Sequence, residues 1–283
     1  MNIPILTIAR LTILEASRRR LLLALSVLTL VVIALTSWGF SRLPLMKNVT
    51  PAEVRLAASQ LTILVAFMFS GVLALGSTLV AAPTVAGDIE SGVALAILPR
   101  PVRRTEVLMG KWLGLAFLIT LYAAASGLLE LLGIWLATGY APPNPIITLL
   151  FVAAEGIVLM SLALLLSTRL PPMTGGVIAL VLFFVAWIGG IALAIGQVFN
   201  NDTIINIGIG SRLLIPTDGL WHGAIFNLEP ADVLTLARAA GRARAGNPFL
   251  AEDPLPVAYL AWCVAWVIGV LGLANWSFVK RDL

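Results

Sequence analysis

The stretch "GDIESGVALAILPRPVRRTEVLMGK", residues Gly87 to Lys111, separates two of the longest uncharged runs in the chain. It opens with Asp88 and Glu90, turns apolar, stops at Pro99-Arg100-Pro101 and closes on Arg103, Arg104 and Lys111. The runs on either side are long enough to cross ~30 Å of hydrocarbon, which takes roughly 20 residues of helix. A charged island in that position reads as a loop between two membrane spans.

The rest of the composition agrees. Of 283 residues, 60% are hydrophobic and only 11% charged, against about 25% charged in soluble domains. Mean hydropathy is +1.01. The net charge of +4 does not point to nucleic acid, because the basic residues flank apolar runs rather than forming one stripe. The single cysteine, Cys263, excludes an intrachain disulfide, and one histidine, His222, offers no metal-ligand pair. The expected roles of both are packing or, for His222, solvation.

Six spans are predicted: Leu21–Gly39, Leu56–Ala82, Trp112–Ala137, Ile146–Thr168, Met173–Phe199 and Leu255–Val279. In lipid each must satisfy its own backbone hydrogen bonds, so the fold class is an all-α integral membrane protein. Thr50-Pro51-Ala52-Glu53 has the form of a capping box leading into the second span, and Asp253-Pro254 is expected to open the sixth. Tyr140–Pro145 and Leu170–Pro172 are tight turns. Trp38, Trp112, Trp135, Tyr140 and Trp276 read as interfacial anchors.

Arg10, Arg18–Arg20, Arg100, Arg103, Arg104, Lys111, Arg169, Lys280 and Arg281 all fall on one side of a six-span topology. By the positive-inside rule that side is cytoplasmic, and it holds both termini. Met1–Arg20 is not a cleavable signal, because its arginine cluster follows the apolar stretch. It reads as an interfacial elbow helix over residues 1–20, with Ile3, Leu6, Leu11 and Leu14 in lipid, Arg10 toward water and Arg18–Arg20 at anionic headgroups. Residues 21–283 then form the membrane domain, with a cytoplasmic loop at 83–111 and an outer loop at 200–254. In that outer loop Ile204–Trp221 is expected against the outer face, and Pro230–Ala243 as a short amphipathic helix.

Asp88 and Glu90 suit the start of a short helix, where the dipole favours negative charge. Such a helix, parallel to the membrane, transmits a push into two spans at once; the alternative is a connector whose positives set topology. Two carboxylates interrupt the spans, Glu130 in the third and Glu155 in the fourth. Intramembrane carboxylates face a bundle interior or water, so these two either line a transport path or stabilise helix packing. Used as proton sites, they define an alternative reading, an ion-coupled secondary transporter. The glycines at 71, 76, 175–176 and 189–190 permit close helix approach.

Glu90-Ser91-Gly92, an apolar run, Leu98-Pro99-Arg100-Pro101-Val102-Arg103-Arg104 and Glu106-Val107-Leu108-Met109-Gly110-Lys111 resemble the hallmark loop of ABC-2 type permeases. The usual form is an acidic residue, Gly-Thr, an apolar run, Pro-Val-Ser-Arg and Leu-Gly-Lys. Here Val93 replaces the threonine and Arg103 the serine. The resemblance extends over nearly the whole chain. It implies a type V exporter-like fold, with an interfacial helix and six spans. It further implies a permease that couples ATP hydrolysis in a separate subunit to export, with ATPase coupling at Asp88, Ile89, Glu90, Ser91, Gly92, Leu95, Leu98, Arg100 and Arg103. The implied partners are two copies of an ABC ATP-binding subunit, a second permease copy or homologue, and membrane lipid, with an extracytoplasmic receiving protein as a further candidate. ATP and magnesium would sit on the ATPase partner: in this chain position 105 is threonine and Trp112 follows Gly110-Lys111, so no phosphate loop is formed. The expected location is the cytoplasmic membrane of a prokaryote.

Overall fold

In a computed structural model the described residues are 4–90, 92, 103–240 and 247–281. Among them the chain is 85% helical, with no strand. An N-terminal helix α1 (Pro4–Ser17) precedes α2 (Arg20–Arg42), α3 (Pro51–Ala81) and its continuation α4 (Pro83–Glu90). Then come α5 (Arg104–Thr138), α6 (Pro145–Ser167), α7 (Pro172–Phe199), α8 (Asp202–Leu214), α9 (Thr217–Leu228), α10 (Ala231–Ala240) and α11 (Val257–Val279). Six helical stretches are long and apolar enough to cross a membrane: α2, α3 with α4, α5, α6, α7 and α11. The protein is a multi-pass membrane protein. Pro4 and Arg281 lie at the arginine end of the bundle, opposite its far end.

Local chemistry sets the boundaries. At Thr50 the capping box is complete: the Thr50 hydroxyl accepts from the Glu53 amide, and the Glu53 carboxylate accepts from the Thr50 amide at 2.7 Å. Helix α5 has 35 residues, about 50 Å at 1.5 Å per residue. It therefore begins well before the predicted Trp112, and its first turns project beyond the hydrocarbon at the arginine end. The expected start of the last span at Asp253-Pro254 is corrected. Pro256 holds the residue before it out of the helical region, is itself extended (φ −59°, ψ 139°), and α11 starts at Val257.

Helix α6 is the hub. It packs against α3, α4, α5, α7, α9 and α11, and the main core draws on it through Val152, Ala153, Met160, Leu162 and Ala163. By contrast α2 is peripheral, with Leu23, Leu30, Leu35 and Trp38 exposed. Trp38, Trp135 and Trp276 are exposed near span ends as interfacial anchors should be, and Arg42 and Lys280 lie over the Trp38 and Trp276 rings. Trp112 and Tyr140 are corrected. Trp112 turns inward to donate to Ser161 Oγ at 2.9 Å, and buried Tyr140 donates to the Leu228 carbonyl at 2.6 Å. Each has a polar tip that finds an internal partner.

The far-end segment differs most from expectation. Instead of resting on the outer face, α8 and α9 form a helical hairpin that re-enters the bundle. Going up α8 from Ile205 to Ser211, the contacts on α7 move from Gly196 back to Gly189, so the two helices run antiparallel. A β-carbon on Gly208 would lie 2.5 Å from Leu193 Cβ and 2.8 Å from the Gly189 carbonyl oxygen, so only glycine permits this approach. Leu214, at the tip, meets Trp266 of α11, about 14 Å inside that helix at 1.5 Å per residue. The tip thus reaches the middle of a ~30 Å hydrocarbon layer.

A helix end at that depth leaves carbonyls without intrahelical donors, which lipid cannot satisfy. One stripe of α11 supplies them. Tyr259 Oη donates to the Arg212 carbonyl at 3.1 Å, Trp262 Nε1 to Leu213 at 3.0 Å and Trp266 Nε1 to Leu214 at 2.8 Å. Helix α9 then returns almost wholly buried. Helix α10 lies within the predicted Pro230–Ala243; residues 241–246 fall outside the described residues.

Candidate functional site: the loop helix and its anchors

Pro83 has no amide to offer the carbonyl four residues back, so α3 ends and α4 restarts with only a slight break; Ala82 stays in the helical region at φ −54°, ψ −44°. Asp88 and Glu90 consequently stand at the end of α4, and not at the start of a helix as expected. Negative charge there opposes the helix dipole. The second turn of α5 answers it: Lys111 Nζ donates both to Asp88 Oδ2 and to the Thr84 carbonyl. Lys111 is only 6% exposed. The other side of α4 puts Val85 into a cluster with Leu108 of α5, Leu164 of α6 and Leu271, Ala274 and Phe278 of α11, with Ile89 at its edge. Three spans therefore grip one short helix.

Of the nine predicted coupling residues, Asp88 and Ile89 make these internal contacts, while Glu90 and Arg103 are exposed. Gly92 has φ +74°, a left-handed turn that suits glycine, and its amide donates to the Ile89 carbonyl at 3.2 Å. Ser91, Leu95, Leu98 and Arg100 lie outside the described residues. Lys111, read from sequence as a flanking positive, is the residue that reasoning undervalued. Its signal was a lysine set directly against the apolar run that begins at Trp112, about two turns into the helix that starts at Arg104.

Next to Lys111, two glycines seat the N-terminal helix. A β-carbon on Gly110 would lie 2.7 Å from Ile8 Cβ, and one on Gly114 would lie 2.6 Å from the Ala9 carbonyl oxygen. Helix α1 therefore lies directly on α5 through Ala9, Thr12 and Ala16, all buried. Leu6, Leu11 and Leu14 are exposed as expected, but Arg10 shares their side, one turn from Leu6 and from Leu14. Its long stem lets the guanidinium reach water from an apolar face.

The end of α11 is clasped from two directions. Arg104 donates to the carbonyls of Phe278, Val279 and Arg281, the last at 2.7 Å. Arg169 Nε donates to Ser277 Oγ at 2.8 Å, which also accepts from Thr168 Oγ1 at 2.8 Å. Basic residues expected to set topology thus also neutralise the last carbonyls of this helix.

The two intramembrane carboxylates are buried and have different partners. Glu130 accepts from Thr36 of α2 at 2.7 Å, and Glu155 from Ser70 of α3 at 2.8 Å. Neither hydrogen-bonds the other. Glu130 borders a cavity of about 30 Å³ with Thr62, Gly127 and Thr148. A further buried carboxylate, Asp218 on α9, is 4% exposed.

That aspartate belongs to a cluster absent from the sequence reading. Arg212 Nε of α8 donates to Asp218 Oδ2 at 2.5 Å, its Nη2 contacts the His222 ring at 3.1 Å, and His222 Nδ1 meets the Asp218 carbonyl at 2.9 Å. Gly190 of α7 leaves the room Asp218 occupies. Arg212 and His222 border a far-end cavity of about 580 Å³ with Gln197, Asn247, Glu252 and Asp253. Above it, at the end of α9, Glu229 is 2% exposed and neither carboxylate oxygen accepts a hydrogen bond. Burial pushes its carboxyl up to about 8; the nearby Ala251 amide, outside hydrogen-bonding geometry, opposes this and Glu252 adds to it.

A sequence model for the family described as ABC-2 family transporter protein matches residues 6–283. The chain belongs to the ABC-2 transporter family. That match takes in most of α1, all six spans and α4, so the protein is the membrane permease of an ABC transporter, a class that associates with an ABC ATP-binding subunit. No curated protein matches the chain. In this ABC-2 permease the Gly110-Lys111 pair at the start of α5 has a physical reason: glycine admits α1, and lysine holds α4.

Proposed function

We propose that this ABC-2 permease is the non-catalytic half of an exporter driven by a separate ATPase. Two ATP-binding subunits carry ATP and magnesium and engage the segment that begins at the end of α4 and runs to Arg103. Two permease copies, or this chain and a homologue, enclose the path. The arginine end faces the cytoplasm of a prokaryote, as the distribution of positive residues supports.

The observation that carries this reading is the grip on α4. A push at Glu90 passes through Asp88–Lys111 to α5 and through Val85 to α6 and α11. Packed side chains deform little, so a displaced α4 takes those helices with it. The test is copurification of the full-length permease with an ATP-binding subunit, followed by ATP-dependent export into inverted vesicles. Reversing charge at Glu90 together with Arg103 is expected to weaken the association. Association and export both at the wild-type level in that variant would overturn the assignment.

The alternative of an ion-coupled carrier gains no support from Glu130 and Glu155. Their bonds to Thr36 and Ser70 join α5 to α2 and α6 to α3, which fits helix packing.

A further inference from the structure

Helices α2, α3 and α5 line a half-open cavity of about 410 Å³. On α5 its wall runs from Leu115 to Ala125, about 15 Å at 1.5 Å per residue, which is the depth of one leaflet of a ~30 Å hydrocarbon layer. Tyr122 Oη, in this wall, is hydrogen-bonded to Thr29 Oγ1, and Ala125 lines the cavity about one turn further along α5. Gly76 keeps it wide, since a β-carbon there would already be 3.3 Å from Leu25 Cδ1. The hydroxyls of Ser17 and Ser77 donate to the carbonyls of Leu14 and Ala74, and Tyr122 is paired with Thr29, which leaves Ser26 as the one lining hydroxyl outside these bonds. Little remains to hold water, which needs two to four polar partners.

The mouth has the opposite character. Ser17 and Leu22 line the cavity, and the chain between them is Arg18-Arg19-Arg20-Leu21 at the joint of α1 and α2. Arg18 and Arg20 are exposed, and Arg19 is shared with Glu15 at 2.5 Å. An apolar slot one leaflet deep with a cationic collar at headgroup level matches one kind of molecule.

We propose that the slot binds a resident anionic phospholipid. One acyl chain fills the space between Leu25, Gly76 and Ala125, and the phosphate sits on Arg18 and Arg20. A lipid held there braces the elbow between α1 and α2 against α5, beside the Lys111 anchor.

The test uses the full-length protein in vesicles of phosphatidylcholine and phosphatidylglycerol, with a trace of either lipid carrying a photoreactive group in its acyl chain. The expected result is that the phosphatidylglycerol probe labels α2, α3 and α5 at slot residues, at least about fivefold above the phosphatidylcholine probe. Labelling should fall to the phosphatidylcholine level in R18S/R20S, and should be lost from the slot in Gly76→Leu. Ala125→Leu blocks the slot from another wall and serves if Gly76→Leu fails to fold. Equal labelling by both probes, labelling spread over the lipid-facing sides of α2 and α7, or no effect of the variants would overturn the proposal. So would absence of slot labelling because a second copy of the chain covers it. Labelling that vanishes during ATP-driven turnover with the ATPase present would mark the lipid as cargo and overturn its residence.

Discussion

The Lys111 ammonium of α5 donates to the Asp88 carboxylate at the last turn of α4, in a position almost closed to solvent. Removing one member of such a pair leaves a buried charge uncompensated, which costs about 3–5 kcal/mol. Lys111→Met is therefore expected to lower the melting temperature of the detergent-solubilised protein and to uncouple transport from ATP hydrolysis. Asp88→Lys with Lys111→Asp should recover part of both. A double variant no better than either single change would show that the pair has no coupling role.

Close contact between α1 and α5 makes two glycines sensitive to a single methyl group. Gly110→Ala and Gly114→Ala are expected to cost about 1–3 kcal/mol by overpacking. Gly269 and Gly272 on α11 have nothing within 4 Å of an added β-carbon, so alanine there should leave the melting temperature unchanged or raise it. Thermal melts of the four variants compare the two classes directly.

The re-entrant hairpin depends on donors from the last span. Trp266→Phe keeps most of the ring but removes the bond to the Leu214 carbonyl. Leu214 is exposed on the bundle surface, where lipid offers its carbonyl no donor, and an acceptor left without a partner away from water costs about 1–3 kcal/mol. Faster hydrogen exchange is expected across α8 and α9, with exchange in α3 unchanged. Uniform exchange across the whole chain would contradict the hairpin's dependence on α11.

Glu229 gives the far end a pH dependence. Its carboxyl is pushed up to about 8 from an ordinary 4.5, so the folded chain holds a proton that the unfolded chain releases. That contribution is greatest below the unfolded value and is lost as pH rises through the folded one. Melting temperature should fall between pH 6 and 9 by at least about 3 °C, and Glu229→Gln should flatten the curve. An unchanged slope in the variant would remove Glu229 as its source.

Much of this architecture was legible in the sequence because the constraint was severe. Spans of lipid-crossing length, the Thr50–Glu53 cap and the uneven distribution of positive residues left few topologies. The depth of α8 and α9 was not legible. Ile204–Trp221 includes Arg212 and Asp218 and is interrupted by Pro216, so it reads as surface chain. Only Asp218, Gly190 and the Tyr259–Trp262–Trp266 stripe acting together make the position tolerable. The loop motif was readable as a pattern, yet the bond from Lys111 back to Asp88 depends on how α4 folds against α5. Glu130 and Glu155 were found as buried carboxylates, but their separate partners, Thr36 and Ser70, follow from tertiary packing alone.

The most direct test of the central claim places a photocrosslinking amino acid at Glu90, at the end of α4, and separately at Leu45, at the far end, in the permease expressed in its own membrane. Irradiation is predicted to join position 90, and not position 45, to an ABC ATP-binding subunit identified by mass spectrometry. Attachment of that subunit to position 45, or to neither position, would contradict the account.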